Sequence, residues 1–367
     1  MELFSESYFE ARAKFAYAAN SAGLSVETIW HPSAKSPDGR GLAIDVARAG
    51  RDDASHVLFT VCGTHGVEGY PGSAAQIQLL QSAKLRDLPP HVAIVFLHGL
   101  NPYGWARNSQ RNEDGIDLNR NFIDFTKAPA ADRQAVAQMA EVLEIQEMSY
   151  VALGEALRKL SAIRQELGAE RYIQRVAGQY VNPRGWKFGG TAPCWSNKIY
   201  RDVVRRHLSK ARYVAEIDWH TGLGAYGGFV PLCFAGRDTE EFTLTCDWWG
   251  KEAVEGGGSV WSAGDKSVKA PDYSGLTHAA LAEELPNARI AGGVIEFGTL
   301  PLNQIALVPI LDHWLTFNAP ANADVRHWRA QMRTFMAPRD KDWEDCVLQH
   351  AERFYSRTLE GLARWSA

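Results

Sequence analysis

The sequence predicts a three-layer α/β sandwich with a mixed, largely parallel central sheet. Apolar segments of strand length alternate with segments of helical periodicity, which is the order expected of strands connected by helices. Residues 92–98 (VAIVFLH) form a continuous apolar run, as expected for a strand buried on both faces. No repeat or low-complexity tract interrupts this order, and a chain of 367 residues that is 46% hydrophobic can bury a sizeable core.

Each predicted element rests on its own local pattern. Strands are predicted where β-branched and apolar residues alternate or run together, and helices where apolar residues recur with helical spacing and few breakers. In chain order, strands are predicted at residues 41–49, 56–62, 92–98, 213–219, 228–234 and 289–297. Helices are predicted at residues 5–20, from about residue 71, at 130–168 and 195–210, and over roughly the last 65 residues.

Length and composition predict a single domain, residues 1–367, with a helical insertion at about residues 125–190.

The formal net charge of −4 gives no reason to expect nucleic acid or a membrane surface as a partner. The N-terminus carries charges from its second position, unlike a signal peptide, and no apolar segment reaches the roughly 18 residues of a membrane span. The five cysteines include no C-x-x-C pair, which disfavours disulfides. We therefore expect a cytoplasmic protein; the oligomeric state is not predicted.

Three polar motifs stand at the ends of predicted strands. They are Thr64-His65, Trp219-His220 and Ile295-Glu296. In largely parallel sheets, the carboxyl ends of the strands meet at one edge, and sites form there. We therefore expect these three motifs to converge on a common site.

His65 and Glu68 form an H-x-x-E motif in a glycine-rich turn. A catalytic zinc site uses three protein ligands and leaves one position for water. A histidine and a carboxylate three residues apart on a turn can bind one metal ion, and the nearby glycines let the backbone turn tightly. Taken alone, this motif more often marks a surface turn with two polar residues.

The other two strand ends supply His220 and Glu296. A histidine at a strand end is more often a hydrogen-bonded structural residue, but this one is delivered to the same sheet edge as His65. The neighbouring Asp218 either orients a metal ligand or forms a salt bridge. A carboxylate inside an apolar strand is costly unless paired, so Glu296 is either part of a buried ion pair or a base tuned for proton transfer.

Arg120 is flanked by Asn119 and Asn121 in the segment DLNRNF. Because a guanidinium binds carboxylates through two parallel bonds, this pattern predicts an anion clamp, with a capped turn as the alternative. A Gly-, Trp- and Pro-rich segment at residues 178–196 is either one wall of the pocket or a plain connector.

In their order, these motifs resemble the carboxypeptidase A superfamily of zinc peptidases. They look closest to a bacterial branch of carboxypeptidase-like proteins near the aspartoacylase and succinylglutamate desuccinylase group. THGVEGYPGS, NPYGWA, DLNRNF, DWHTGLG and IEFGT carry the resemblance, over roughly residues 55–300. The resemblance implies one Zn²⁺ per chain, held by His65, Glu68 and His220, with Glu296 as general base. It also implies that Asn119 and Arg120 bind the substrate carboxylate.

The resemblance implies two further roles for which no residue of this sequence is a clear match. An arginine upstream of Asn119 should polarise the scissile carbonyl. Arg111 is the preferred residue for this role, and Arg107 competes with it or binds substrate. A tyrosine should close over the substrate, and Tyr226 and Tyr273 are weak matches.

The expected function is zinc-dependent hydrolysis of an amide bond, releasing an amino acid from a peptide C-terminus. The alternative is a deacylase of N-acyl amino acids, because both groups share the motif order. In either case the substrate is small and carries a free carboxylate. A catalytically inactive ligand-binding homologue is an alternative of another class, which the retention of all four metal-site and base residues disfavours.

Overall fold

The computed structural model describes residues 2–128, 133–250 and 274–366. Within these residues, a seven-stranded sheet has the order β1-β2-β4-β3-β5-β7-β6. The strands are β1 (Val26–Lys35), β2 (Gly41–Ala49), β3 (His56–Cys62), β4 (Val92–His98), β5 (Tyr213–Gly222), β6 (Phe229–Cys233) and β7 (Arg289–Gly298).

Helices connect and cover these strands. They are α1 (Tyr8–Ser21), α2 (Gly69–Gln81), α3 (Pro102–Ala106), α4 (Arg133–Leu143), α5 (Tyr150–Val176), α6 (Trp195–Leu208), α7 (Glu240–Trp249), α8 (Thr277–Glu284), α9 (Leu307–His313), α10 (Val325–Met336) and α11 (Lys341–Arg364). Helix α5 is kinked at Gly168, where φ is +76°. The predicted helical stretch thus contains α4 and most of α5; its status as an insertion stays a prediction.

The sheet is mixed, as predicted, with its parallel strands in the centre. Strands β4, β3, β5 and β7 run parallel to one another. Antiparallel pairs flank them: β1 with β2 and β2 with β4 on one side, and β6 with β7 on the other. The residues of β3, β4 and β5 are buried throughout, which explains why β3 and β4 are predominantly apolar in the sequence. Strand β5 also buries Glu216, Asp218 and His220.

Two helical layers enclose the sheet. One apolar cluster joins one face of the sheet to α1, α2, α7 and α11, and a second joins the opposite face to α6 and α8. A third cluster holds α4, α5, α9 and α10 together around Val67, which follows β3. This arrangement confirms the predicted three-layer α/β sandwich and places extra helices beside the segment that carries His65 and Glu68. No helix in the described ranges is long and apolar enough to span a membrane.

Strand β1 was not predicted from the sequence. Its segment VETIWHPSAK contains a proline, lies at the edge of the sheet and has only one buried residue, His31. Its pairing with β2 is irregular between Trp30 and Lys35. An edge strand with one paired side needs no strict alternation and tolerates proline, so its local pattern is weak.

Candidate metal centre

The register of the parallel strands brings the three motifs together. Cys62 of β3 lies opposite Trp219 of β5, and His220 lies opposite Glu296 of β7. Strand β5 extends to Gly222, so His220 is part of the strand rather than following it. Because paired residues of neighbouring strands project to the same face, His220 and Glu296 point to one side of the sheet.

A tight turn after β3 carries His65 and Glu68. The N–H of Glu68 donates to the carbonyl of His65 at 3.0 Å, and residues Gly66–Glu68 form one turn of 3-10 helix. A Cβ atom on Gly66 would lie 2.1 Å from the backbone nitrogen of Trp105, so only glycine fits here. The turn is therefore held against α3, and its two polar side chains have fixed positions.

The carboxylate of Glu68 lies between the two histidine rings. Its Oε1 atom is 3.0 Å from Nδ1 of His65, and its Oε2 atom is 3.1 Å from Nδ1 of His220. All three side chains are buried. In the part of the chain that the structure describes, these residues form the one group of His, Cys, Asp or Glu side chains that could hold a metal ion, with ligand atoms within 4.8 Å of one another. We call it the His–Glu–His cluster.

Each histidine has a second carboxylate on its far side. Nε2 of His65 lies 3.1 Å from Oδ1 of Asp117, and Nε2 of His220 lies 2.9 Å from Oδ2 of Asp218. Asp218 is held in turn by the hydroxyl of Thr64, at 2.9 and 3.0 Å from its two oxygens. Carboxylates placed in this way orient histidine ligands and make them more basic. The short contact with His220 fits both roles predicted for Asp218, an orienting group and a salt-bridge partner.

The protein's own charges strongly perturb this cluster. Burial disfavours a charged His65, but Glu68 and Asp117 outweigh it and raise the pKa of His65 to about 9. Asp218 and Glu68 likewise overcome burial and raise the pKa of His220. Burial opposes the ionised form of Glu68, yet the two histidines hold its pKa well below the usual value. These shifts therefore favour an ionised Glu68 carboxylate beside positively charged histidines.

The cluster fits a zinc ion. Two imidazole nitrogens and a carboxylate are a ligand set found in catalytic zinc sites. Donor atoms around a tetrahedral ion with bonds of about 2.0–2.1 Å lie roughly 3.3 Å apart. The two nitrogen–oxygen distances of 3.0 and 3.1 Å are close to that separation. Both rings direct Nδ1 to the shared centre, since each Nε2 faces an aspartate.

Glu296 lies beside the cluster on β7. Its Oε2 atom accepts a long hydrogen bond of 3.4 Å from the backbone N–H of Leu223. Burial, reinforced by the negative charge of Glu68, raises the pKa of Glu296 to about 7. A carboxylate with a pKa near neutrality can both accept and return a proton, which suits general acid–base catalysis.

A cavity of about 450 Å³ opens onto the cluster. Most of the residues predicted for the site line it, namely His65, Glu68, Asn119, Arg120, His220 and Glu296. Its remaining walls are mainly apolar. They come from α5 (Leu157, Leu160, Val176), from β6 and β7 (Leu232, Val294), and from the segment around α9 (Ile305, Val308).

The structure does not bring Arg111 or Arg107 into this cavity. The guanidinium of Arg111 is buried and donates to the carbonyls of Gly115 (2.8 Å) and Gly185 (3.1 Å). Arg107 donates to the carbonyl of Lys35 at 2.7 Å and stacks on the ring of Tyr103. Neither residue is among those that line the cavity. Both arginines hold backbone segments in place.

The segment DLNRNF divides its side chains between the cavity and the scaffold. Arg120 lines the cavity while its Nε and Nη1 atoms donate to the carbonyls of Ala177 and Asn119. Asn119 also lines the cavity, and its side-chain oxygen accepts from the N–H of Thr277 at 3.1 Å. Asn121 is wholly buried and binds the backbone of residues 189–194. Two members of the predicted clamp thus face the cavity, and the third anchors the neighbouring loop.

Part of the 178–196 segment forms a cavity wall. Trp186 and Lys187 line the cavity, together with Tyr172 and other residues of α5. Sequence reasoning missed Tyr172 and Lys187, and it assigned no role to Asp117 or Gln110. The Nε2 of Gln110 donates to Oε1 of Glu68 at 2.9 Å. A signal for Asp117 was available, since it opens the DLNRNF motif.

Of the two weak tyrosine candidates, the structure describes Tyr226 alone. Tyr226 is 56% exposed and does not line the cavity. Tyr273 lies outside the described residues. Among the described residues, Tyr172 of α5 is the tyrosine that lines the cavity, and burial raises its pKa.

The fold of this chain is similar to those of several solved structures. Bovine thrombin-activatable fibrinolysis inhibitor, solved with tick carboxypeptidase inhibitor, has a TM-score of 0.51 at 12% identity, and the match covers 98% of both chains. Carboxypeptidase A from Helicoverpa armigera has a TM-score of 0.45 at 13% identity, covering 89% of this chain and 73% of that one. A metallo-carboxypeptidase from Pseudomonas aeruginosa scores 0.41 at 14% identity, covering 83% and 68%. The first comparison supports the fold.

The chain belongs to the family described as "Protein of unknown function (DUF2817)", whose profile matches residues 4–350. No curated protein matches the sequence. The structural similarity confirms the fold that the resemblance of the ordered motifs implied.

Proposed function

We propose that this protein is a zinc-dependent hydrolase of amide bonds that acts on small substrates with a free carboxylate. The observation that carries the proposal is the convergence of Nδ1 of His65, Nδ1 of His220 and the carboxylate of Glu68 at one point beside Glu296. Zinc at such a site acts as a Lewis acid and activates water at neutral pH. The carboxypeptidase-like fold agrees with this chemistry.

Glu296 is the proposed general base. With a pKa near 7 it accepts a proton from the attacking water and returns it to the leaving amine nitrogen. The mainly apolar walls lower the local dielectric constant, which strengthens the electrostatic interactions inside the cavity. Asp117 and Asp218 keep the two histidine rings oriented with Nδ1 toward the metal position.

Asn119 and Arg120 are the proposed binding site for the substrate carboxylate. Both line the cavity, and their backbone and side-chain bonds fix them in place. The contacts of Arg120 with the carbonyls of Ala177 and Asn119 orient its guanidinium, so less rotamer entropy is lost when an anion binds. The catalytic role expected for Arg111 is not part of this proposal, because its guanidinium binds backbone carbonyls elsewhere.

Two substrate classes fit, a peptide with a free C-terminus and an N-acyl amino acid. The expectation from the motifs is a carboxypeptidase. Helix α5 and the 178–196 segment wall the cavity with Leu157, Leu160 and Trp186, among others, which favours a short apolar acyl group over a long peptide. The deacylase is therefore the second candidate function.

A metal analysis combined with a substrate panel tests the proposal. Purified protein is assayed for bound zinc and for release of free amino acid from N-acyl amino acids and from short peptides. Zinc-dependent release from either group supports the proposal, and the preferred group separates carboxypeptidase from deacylase. Tight zinc binding without turnover of any member would favour a ligand-binding protein instead.

A further inference from the structure

Lys187 faces the cavity, although no sequence motif marked it. We propose that Lys187 is a catalytic residue whose ammonium stabilises the negative charge that develops on the scissile carbonyl oxygen. The inference rests on the proposed amide hydrolysis and extends it, since it assigns transition-state stabilisation to the 178–196 segment.

The backbone at Lys187 is held in an unusual conformation. Its φ is +41°, and Asn108 is the other non-glycine residue with a positive φ in the described part of the chain. A glycine would adopt this conformation without strain, and strained non-glycine residues concentrate at functional sites. The flanking residues fix the turn: Trp186 donates from its ring to Val176 at 3.1 Å, and the carbonyl of Phe188 accepts from Asp117 at 2.8 Å. The lysine side chain is thereby directed to the cavity.

The ammonium of Lys187 lies near a carboxylate that contacts the metal cluster. Its Nζ atom is 4.0 Å from Oδ2 of Asp117, whose other oxygen contacts Nε2 of His65. Burial and the charge of Arg120 lower the pKa of Lys187, while the carboxylates of Asp117, Glu68 and Glu296 oppose this effect. Of these charged neighbours, Arg120, Glu68 and Glu296 line the same cavity as Lys187.

Substrate geometry places the scissile carbonyl at this position. In a peptide or an N-acyl amino acid, only the α-carbon and the amide nitrogen separate the terminal carboxylate from the scissile carbonyl. A substrate with its carboxylate on Arg120 and its reacting carbon near Glu296 must place that carbonyl between the two residues. Lys187 lines the same cavity as both of these residues. A preorganised donor there stabilises the oxyanion more than the ground-state carbonyl.

The test compares a transition-state mimic with a product. Isothermal titration calorimetry measures binding of a phosphinate dipeptide analogue, which resembles the tetrahedral state, and of the released amino acid, which carries only the carboxylate. Zinc-loaded wild type, Lys187→Met and the exposed control Lys198→Met are compared, with zinc content measured for each. Lys187→Met should weaken phosphinate binding by about 10²-fold and lower kcat similarly, as for the loss of one oxyanion donor. Amino acid binding and zinc content should stay near wild type, and Lys198→Met should match wild type in all measurements.

Several results would overturn the inference. Unchanged phosphinate affinity removes Lys187 from the transition state. Equal weakening of both ligands places Lys187 at the carboxylate, and loss of zinc shows that it acts only through Asp117 and His65. Lys187→Arg keeps the charge and should retain more phosphinate affinity than Lys187→Met, so it tests the inference even if Lys187→Met misfolds. A wild-type protein that binds neither ligand and hydrolyses nothing overturns the proposed function itself, a result distinct from any effect of the variants.

Discussion

Nδ1 of His220 lies 3.1 Å from Oε2 of Glu68, although 152 residues separate them in the sequence. The parallel pairing of β3 with β5 creates this contact, because Glu68 follows β3 and His220 lies in β5. The pairing of β5 with β7 then adds Glu296 opposite His220. Three distant segments thus supply one centre, and its geometry leads to the following predictions.

Replacing either histidine of the cluster should abolish stoichiometric zinc binding. His65→Ala or His220→Ala removes one of three ligands and leaves Glu68 with a single histidine partner. The exposed His327 of α10 provides a matched control, and His327→Ala should bind zinc as wild type does. Zinc per chain is measured by elemental analysis after dialysis. One zinc per chain in both cluster variants would refute the ligand assignment.

Glu296→Gln should retain zinc and fold but lose turnover. A general base contributes roughly 10²–10⁴-fold to the rate, and glutamine cannot accept the proton. Because the base must be ionised, wild-type kcat/KM should fall at acidic pH. Without metal the pKa of Glu296 is raised to about 7, and a bound cation lowers it, so the fall in the zinc-loaded enzyme should lie below pH 7. The pH–rate profile of Glu296→Gln should lack this fall in kcat/KM at acidic pH. Wild-type turnover of the variant would exclude Glu296 as the base.

Arg120→Lys should reduce the preference for free-acid substrates over their amides. Lysine cannot reproduce the two parallel bonds to a carboxylate, and loss of such a contact in a desolvated site costs about 2–5 kcal/mol. The measurement is the ratio of kcat/KM for acid and amide. Arg111→Lys is the matched control, since Arg111 binds backbone carbonyls outside the cavity; it should lower thermal stability and leave the ratio unchanged. An unchanged ratio in Arg120→Lys would mean that Arg120 does not bind the substrate carboxylate. A changed ratio in Arg111→Lys would mean that Arg111 does.

Gly66→Ala should destabilise the fold and disturb the metal centre. The added Cβ would lie 2.1 Å from the nitrogen of Trp105, and overpacking of this kind typically costs about 1–3 kcal/mol. A Cβ atom on Gly154 of α5 would meet nothing within 4 Å, so Gly154→Ala should be neutral or stabilising by up to about 1 kcal/mol. Chemical denaturation gives both free energies of unfolding. Equal stability of the two variants would contradict the packing argument.

The central fold was predictable because its strands are locally distinctive. The strands β2, β3 and β4 have the predicted bounds, since each is a short segment of alternating or continuous apolar residues. The edge strand β1 was not predicted, because an exposed strand with a proline needs no apolar pattern. Parallel strands also predicted that the motifs would meet at one edge, and the structure places His65, His220 and Glu296 there.

The rest of the site depends on long-range packing. Arg111 and Arg120 are close in sequence, and local pattern alone does not show which of them faces the cavity. The guanidinium of Arg111 donates to the backbone carbonyls of residues 115 and 185, and these bonds hold it outside the cavity. Lys187 and Tyr172 reach the cavity because α5 and the following loop fold over the sheet edge. No short motif encodes such a contact.

Titration of metal-free protein with zinc tests the central claim most directly. The protein is stripped with a chelator, and release of amino acid from its best substrate is measured as zinc is added. The account predicts no activity without metal, a linear rise to one zinc per chain and a plateau beyond it, with Glu68→Ala inactive throughout. Full activity of the metal-free protein, or a rise unaffected by Glu68→Ala, would contradict the claim that the His–Glu–His cluster holds a catalytic zinc ion.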